Sequence, residues 1–437
     1  MTGRRTNPVA PFRSRLSAAV LAAVLATSGV GFGVEGLPAG TPASHGFSAR
    51  RLARIDDAVR TEVAARRVAG AVTLVARDGR VVHFGASGWR DVESGAPMRR
   101  DTIFRIASMT KAVTTVAALL LMEDGRLLLT DSVSKFLPAF ADATVAVTPD
   151  APAVPAKRQV TIKDLMTQTS GYSYGGGERS GAYRAVGADL WYFADRDEPI
   201  ANVVDRLARV PLEAQPGEKW IYGYSTDVLG RVVESASGLP LDIFFRKRIF
   251  EPLRMPDTSF FLPPAKRGRL SVVYGAGSGG KIERAPDHGR VGQGEYVDGP
   301  RACFSGGAGL LSTASDYARF LQMLANGGTL DGVRLLSPKT VAFATSNQVG
   351  SLHEEGRFGF GLGFSIVEDV GRTAGPGSVG EYGWGSAYYS RYWVDPGEHL
   401  VFLILMQLIP TGGLDLSDRF HSLVESALVS PGKRGKR

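Results

Sequence analysis

Four serines in this chain stand three residues before a lysine: Ser108/Lys111, Ser132/Lys135, Ser278/Lys281 and Ser430/Lys433. A hydroxyl and an amine at that spacing share one face of a helix, where they can act as nucleophile and general base in acyl transfer. The surroundings decide which pair can do so. Ser278-Gly279-Gly280-Lys281 lies in a glycine loop, and Ser430-Pro431-Gly432-Lys433 leads into a basic tail. Ser132 opens a short segment that Pro138 interrupts. Ser108 instead opens residues 108–122, in which Lys111 is the only charged residue among Ala, Val, Leu, Met and Thr. That composition predicts a helix buried on all sides. Its first turn offers free backbone N–H groups and a positive field, both suited to holding an oxyanion. Burial disfavours an ammonium, which leaves the lysine able to accept a proton from its neighbour. The alternative is a lysine whose stem packs while its head reaches solvent.

Other reactive residues carry weaker patterns. Gly171-Tyr172-Ser173-Tyr174-Gly175 has the Gly-x-Ser-x-Gly form of a nucleophile elbow, which requires an apolar strand before it and a helix directly after. Here residues 162–168 read as helix and Gly175-Gly176-Gly177 as loop, so Ser173 is expected to shape a loop near the site. The six histidines (45, 83, 288, 353, 399 and 421) are scattered without a His-x-x-x-His pair, and most are expected on the surface or in loops. They support neither a metal hydrolase nor a histidine triad. Cys303 is the only cysteine, which excludes an internal disulfide and a thiolate-rich metal site, and it reads as a small buried residue.

With 44% hydrophobic residues among 437, a sizeable core is available. The formal charge of +8 is concentrated at the ends: residues 1–43 contribute +3 and 433–437 contribute +4, leaving +1 for 44–432. A nearly neutral body without a long basic run argues against nucleic-acid binding. Arg4, Arg5, Arg13 and Arg15 precede an uncharged stretch at 16–34, followed by Pro38, Gly40 and Pro42. This is the pattern of a secretory signal peptide ending near Ala43, so export to the periplasm or medium is expected. The rival reading of 16–34 is a retained membrane anchor.

The elements that position Ser108 can be read around it. Residues 48–67 show the spacing of an amphipathic helix. Strands are expected at 70–76 and 80–87, joined by Asp78-Gly79, and again at 359–367, 386–394 and 400–407, before a last helix at 414–428. Residues 145–160 and 263–300 read as exposed loops. Strands at both ends with helices between predict an α+β fold, in which one antiparallel sheet is built from both chain ends and flanked by helices. Its sheet part would span about 44–100 and 346–432, and a large, mostly helical insertion about 101–345.

Phe104-Arg105-Ile106-Ala107-Ser108-Met109-Thr110-Lys111 closely resembles the first motif of the serine β-lactamase and penicillin-binding-protein superfamily. The similarity runs over roughly 48–430. Val160-Thr161-Ile162-Lys163-Asp164-Leu165-Met166-Thr167-Gln168-Thr169-Ser170-Gly171 looks like the family segment "ITIRDLLTHTSG". Pro216-Gly217-Glu218, Trp220-Ile221-Tyr222 and Leu229-Gly230 resemble the stretch with the second-motif tyrosine, and Ser305–Thr313 with Asp316 another recurrent stretch. Class C members carry Tyr-x-Asn at the second motif; this chain reads Tyr222-Gly223-Tyr224, with Tyr224-Ser225-Thr226 a competing register. Where β-lactamases carry Lys-Thr-Gly, this chain has Trp384-Gly385-Ser386-Ala387, which resembles the family VIII carboxylesterases.

The resemblance implies a β-lactamase/transpeptidase-like fold and a serine hydrolase working through an acyl-serine. Ser108 would be the nucleophile, Lys111 and Tyr222 would share the proton work, and the N–H groups of Ser108 and Ala387 would form the oxyanion hole. Trp384, Gly385, Ser386 and Tyr224 would meet the substrate, a small ester with a short acyl chain. A tryptophan in place of the lysine supplies an apolar wall where the relatives hold a carboxylate, which favours esters over β-lactams or D-alanyl-D-alanine peptides. Those remain the alternative substrates, and a non-catalytic cell-wall binding role the second alternative. No metal or organic cofactor is implied.

Overall fold

A computed structural model describes residue 3 and residues 36–148, 152–188 and 191–430. The basic segment and apolar stretch up to residue 35, most of the expected signal peptide, lie outside the described residues, as does the basic tail with Lys433.

The central sheet has eight strands, all antiparallel: β1 (Gly70–Arg77), β2 (Arg80–Asp91), β3 (Ala96–Pro97), β4 (Gly359–Phe360), β5 (Ser365–Ile366), β6 (Tyr382–Gly385), β7 (Arg391–Asp395) and β8 (Leu400–Leu405). Their spatial order is β4-β5-β6-β7-β8-β1-β2-β3, so the two chain ends meet where β1 pairs with β8, Val72 opposite Leu405. The β1–β2 hairpin turns at Asp78 and Gly79, both with positive φ, at 52° and 73°. A two-residue loop of that handedness matches the twist of the strands it joins.

Every residue of β1 is buried, because both faces of the sheet are covered. Val72, Leu74 and Ala76 face the large core, which includes α2 (Thr110–Glu123), α3 (Ser225–Ser237) and α4 (Ala314–Ala325). Ala71 and Val75 face the smaller core, formed with α1 (Ala49–Ala64) and the C-terminal α5 (Leu416–Ala427). Full burial of each Val or Leu removes apolar surface worth about 1.5–3 kcal/mol relative to exposure. The helix α2 is buried from Thr110 to Leu121, as its uniform composition requires.

The expected strands at 359–367 and 386–394 are each corrected. Gly361-Leu362-Gly363 interrupts the first, with Gly363 at φ 85° and the Leu362 N–H turned to the Ala344 carbonyl. A turn at 386–390 separates β6 from β7, closed by the Ser386 N–H on the Ser390 carbonyl. The segment 263–300, expected as exposed loop, contains a hairpin of Tyr274–Ala276 with Ile282–Arg284 and buries Tyr274 and Tyr296. Its buried polar partner is Arg105, whose guanidinium donates to the carbonyls of Ser271 and Gln293. Among the described residues, no helix is long and apolar enough to cross a membrane.

Candidate active site

Ser108 is delivered by a pinned approach. Phe104-Arg105 pairs with Leu311-Ser312, the Ile106 N–H donates to the Leu310 carbonyl, and the Leu310 N–H donates to Thr110 Oγ1. Ala107, fully buried, is held at φ 37°. A non-glycine residue in that region stores strain that the surrounding packing must sustain. Residues Ala107–Met109 form a short 3-10 turn leading into α2, so Ser108 sits on the turn before the helix, 8% exposed.

The head of Lys111 is buried rather than reaching solvent. The residue is 3% exposed, and Nζ donates to the Gly307 carbonyl at 2.8 Å, Tyr174 Oη at 2.9 Å and Ser108 Oγ at 3.4 Å. All three neighbours can accept from the lysine amine. The Tyr222 ring lies over the same nitrogen, 4.6 Å from its centroid. Behind the Gly307 carbonyl, Asp227 is buried on α3 and accepts from Ser305 Oγ and the Gly307 N–H. Burial pushes its carboxyl above the usual range, and the charge of Lys111 opposes that shift. A side chain at 307 would strike Asp227 Oδ2 at 2.4 Å, which explains the glycine.

Two Tyr-x-Tyr segments build the opposite wall. Gly223 lies so close to the backbone of Tyr172 and Ser173 that a Cβ there would approach within 2.3 Å. This contact sets Tyr174 and Tyr222 edge to face, 5.5 Å between ring centroids. Tyr222 Oη accepts from Trp384 Nε1 at 3.2 Å. Tyr174 is the residue that reading the sequence missed; its only trace there is the repeated Tyr-x-Tyr pattern. Ser173 lies in the loop that carries it, donating to Glu213 and accepting from the Gly175 N–H, and does not line the cavity beside Ser108. Tyr224 does not line that cavity either. It is 1% exposed, stacked on Tyr183 and edge-on to Tyr174, so it supports Tyr174 from behind.

Trp384, Gly385, Ser386 and Ala387 line the same cavity of about 460 Å³ as Ser108, Tyr174 and Tyr222. Trp191, Phe358 and Tyr389 extend its apolar wall, and Arg391 and Asp418 pair with each other at the rim. His353 departs from the surface position expected of most histidines. It is buried against Trp220 and Phe360 behind Trp384, and burial lowers its basicity. Cys303 is buried as expected, which raises its thiol.

A sequence model of the family described as Beta-lactamase matches residues 55–423. Esterase EstB of Burkholderia gladioli is 34% identical over 383 residues, covering 82% of this chain and 91% of that protein. Lovastatin esterase of Penicillium rubens is 30% identical over 393 residues, covering 80% and 92%. Among solved structures, EstCE1, a hydrolase with promiscuous acyltransferase activity, superimposes with a TM-score of 0.74 at 29% identity, covering 87% of this chain and 99% of its own.

Proposed function

Because the chain belongs to the beta-lactamase family, we propose that it is a serine hydrolase that cleaves carboxylic esters through an acyl intermediate on Ser108. The observation that carries this reading is the buried Lys111 Nζ, 3.4 Å from Ser108 Oγ and fixed by Gly307 and Tyr174. Ser108 Oγ attacks the ester carbonyl, its proton passing to the Lys111–Tyr222 pair, which returns it to the departing alcohol. The N–H groups of Ser108 and Ala387 hold the oxyanion, each such donor contributing about 3–4 kcal/mol. Water then enters by the same route and releases the acid. Trp384 supports a neutral substrate, since its indole presents an apolar face and commits its N–H to Tyr222. Esterase EstB and lovastatin esterase support the same substrate class. The basic and apolar N-terminal pattern supports export, with residues 44–432 as the catalytic domain.

The test compares wild type and Ser108→Ala on p-nitrophenyl esters of increasing chain length and on nitrocefin. Turnover is expected on the short esters, falling at least about 10³-fold in the variant. Nitrocefin turnover equal to that of the esters would reassign the substrate to β-lactams.

A further inference from the structure

The sheet face opposite the active-site core carries a second buried polar cluster. Glu381 immediately precedes β6, while His421 and Glu425 stand four residues apart on α5, one turn along the same helix face. One ligand-type atom from each of the three lies within 4.8 Å of the others. His421 Nε2 sits 3.0 and 3.2 Å from the two oxygens of Glu381. Glu381 is 4% exposed, and Glu425 Oε1 is inaccessible and without a donor.

A third carboxyl lies on the neighbouring strand beside this cluster. Tyr382 pairs with Val394, so one step further along the register Glu381 stands across from Asp395. Alternation along β7 puts Asp395 on the face of Trp393, which packs against α5 through Phe420. Asp395 is 0% exposed; Oδ1 accepts the Gly397 and Glu398 N–H groups, while Oδ2 is buried with no partner.

Two carboxylates therefore meet a single imidazole, a third stands across the strand pair from Glu381, and one buried oxygen each of Glu425 and Asp395 lacks a donor. The nearby guanidiniums do not balance them. Arg391 pairs with Asp418 and stacks on Trp393, and Arg357 donates to the Arg372 carbonyl. Buried like charges persist when they are neutralised or coordinate a metal. A cavity of about 320 Å³, lined by Glu381, His421 and the 373–377 loop, leads to the cluster.

We propose that Glu381, His421 and Glu425 bind one divalent cation of the zinc or manganese type, which ties the C-terminal helix to the strand that carries Trp384. One imidazole nitrogen with carboxylate oxygens is the donor set such ions accept, whereas magnesium and calcium favour oxygen alone. Bonds of about 2.1 Å in a tetrahedral shell place ligand atoms about 3.4 Å apart, which small side-chain rotations from the present separations would reach. The scattered histidines of the sequence give no sign of this site, because Glu381 is brought to α5 only by the sheet.

The test titrates the full chain, freed of metal with a chelator, with ZnCl2 and separately with MnCl2 by calorimetry. Binding of one ion per chain is expected for at least one metal, with a melting temperature raised by about 3 °C at a hundredfold excess over Kd. Glu425→Gln, an isosteric change, should weaken binding at least about tenfold, and His421→Ala should remove it. Ester turnover should survive in Glu425→Gln, which confirms a folded protein. Failure of both ions to bind, or binding unaltered in both variants, would overturn the site.

Discussion

Two buried polar clusters flank β6, and they are built on opposite electrostatic terms. On the cleft side, the Lys111 amine is fixed by Gly307, Tyr174 and Ser108, and a single buried carboxyl, Asp227, stands behind Gly307 with Oδ1 bonded and Oδ2 without a donor. On the α5 side, Glu381 and Glu425 crowd one histidine with Asp395 across the strand pair, and Glu425 Oε1 and Asp395 Oδ2 are unpartnered. An amine with three fixed neighbours is held in one geometry without outside help. A cluster with surplus negative charge calls for a proton or a cation. Glu381 stands three positions before Trp384, at the entry to β6, so one short segment reports on both.

The comparison can be broken at either end. Lys111→Met should have the largest effect, lowering kcat/KM for p-nitrophenyl butyrate about 10²–10⁴-fold, as loss of a general base does. Cation titration of that variant should match wild type; a loss of both would mean that the clusters are not separate. Tyr174→Phe sharpens the cleft side by removing one acceptor from Lys111 while keeping the ring. A hydrogen bond to a charged group is worth about 1.5–3 kcal/mol, so a loss of about tenfold or more is expected, mostly in kcat. A loss confined to KM, with kcat unchanged, would leave Tyr174 a residue of the cavity wall only. The smallest effect is expected from Glu425→Gln, with ester turnover within about twofold of wild type.

Local patterns were readable where chemistry depends on neighbours in the chain. The Asp78-Gly79 hairpin, the buried helix after Ser108 and the meeting of both chain ends in one sheet all follow from spacing and composition. Tyr174 was not readable, because its role depends on Gly223 admitting a second segment against residues 172 and 173. The same contact separates the two tyrosines at 222 and 224, one lining the cavity and the other buried behind Tyr174, although the sequence offers both in adjacent registers. The split strands around Gly361-Leu362-Gly363 and 386–390 were hidden because their apolar residues continue through the breaks. The Glu381 cluster joins positions about forty residues apart and has no local signature at all.

The central claim is that Ser108 is the nucleophile, and covalent labelling tests it most directly. The full chain is treated with a fluorophosphonate and digested, and the modified residue is located by mass spectrometry. The account predicts a single adduct on Ser108, absent from Ser108→Ala and strongly slowed in Lys111→Met. An adduct on Ser173, or labelling that persists in Ser108→Ala, would contradict it.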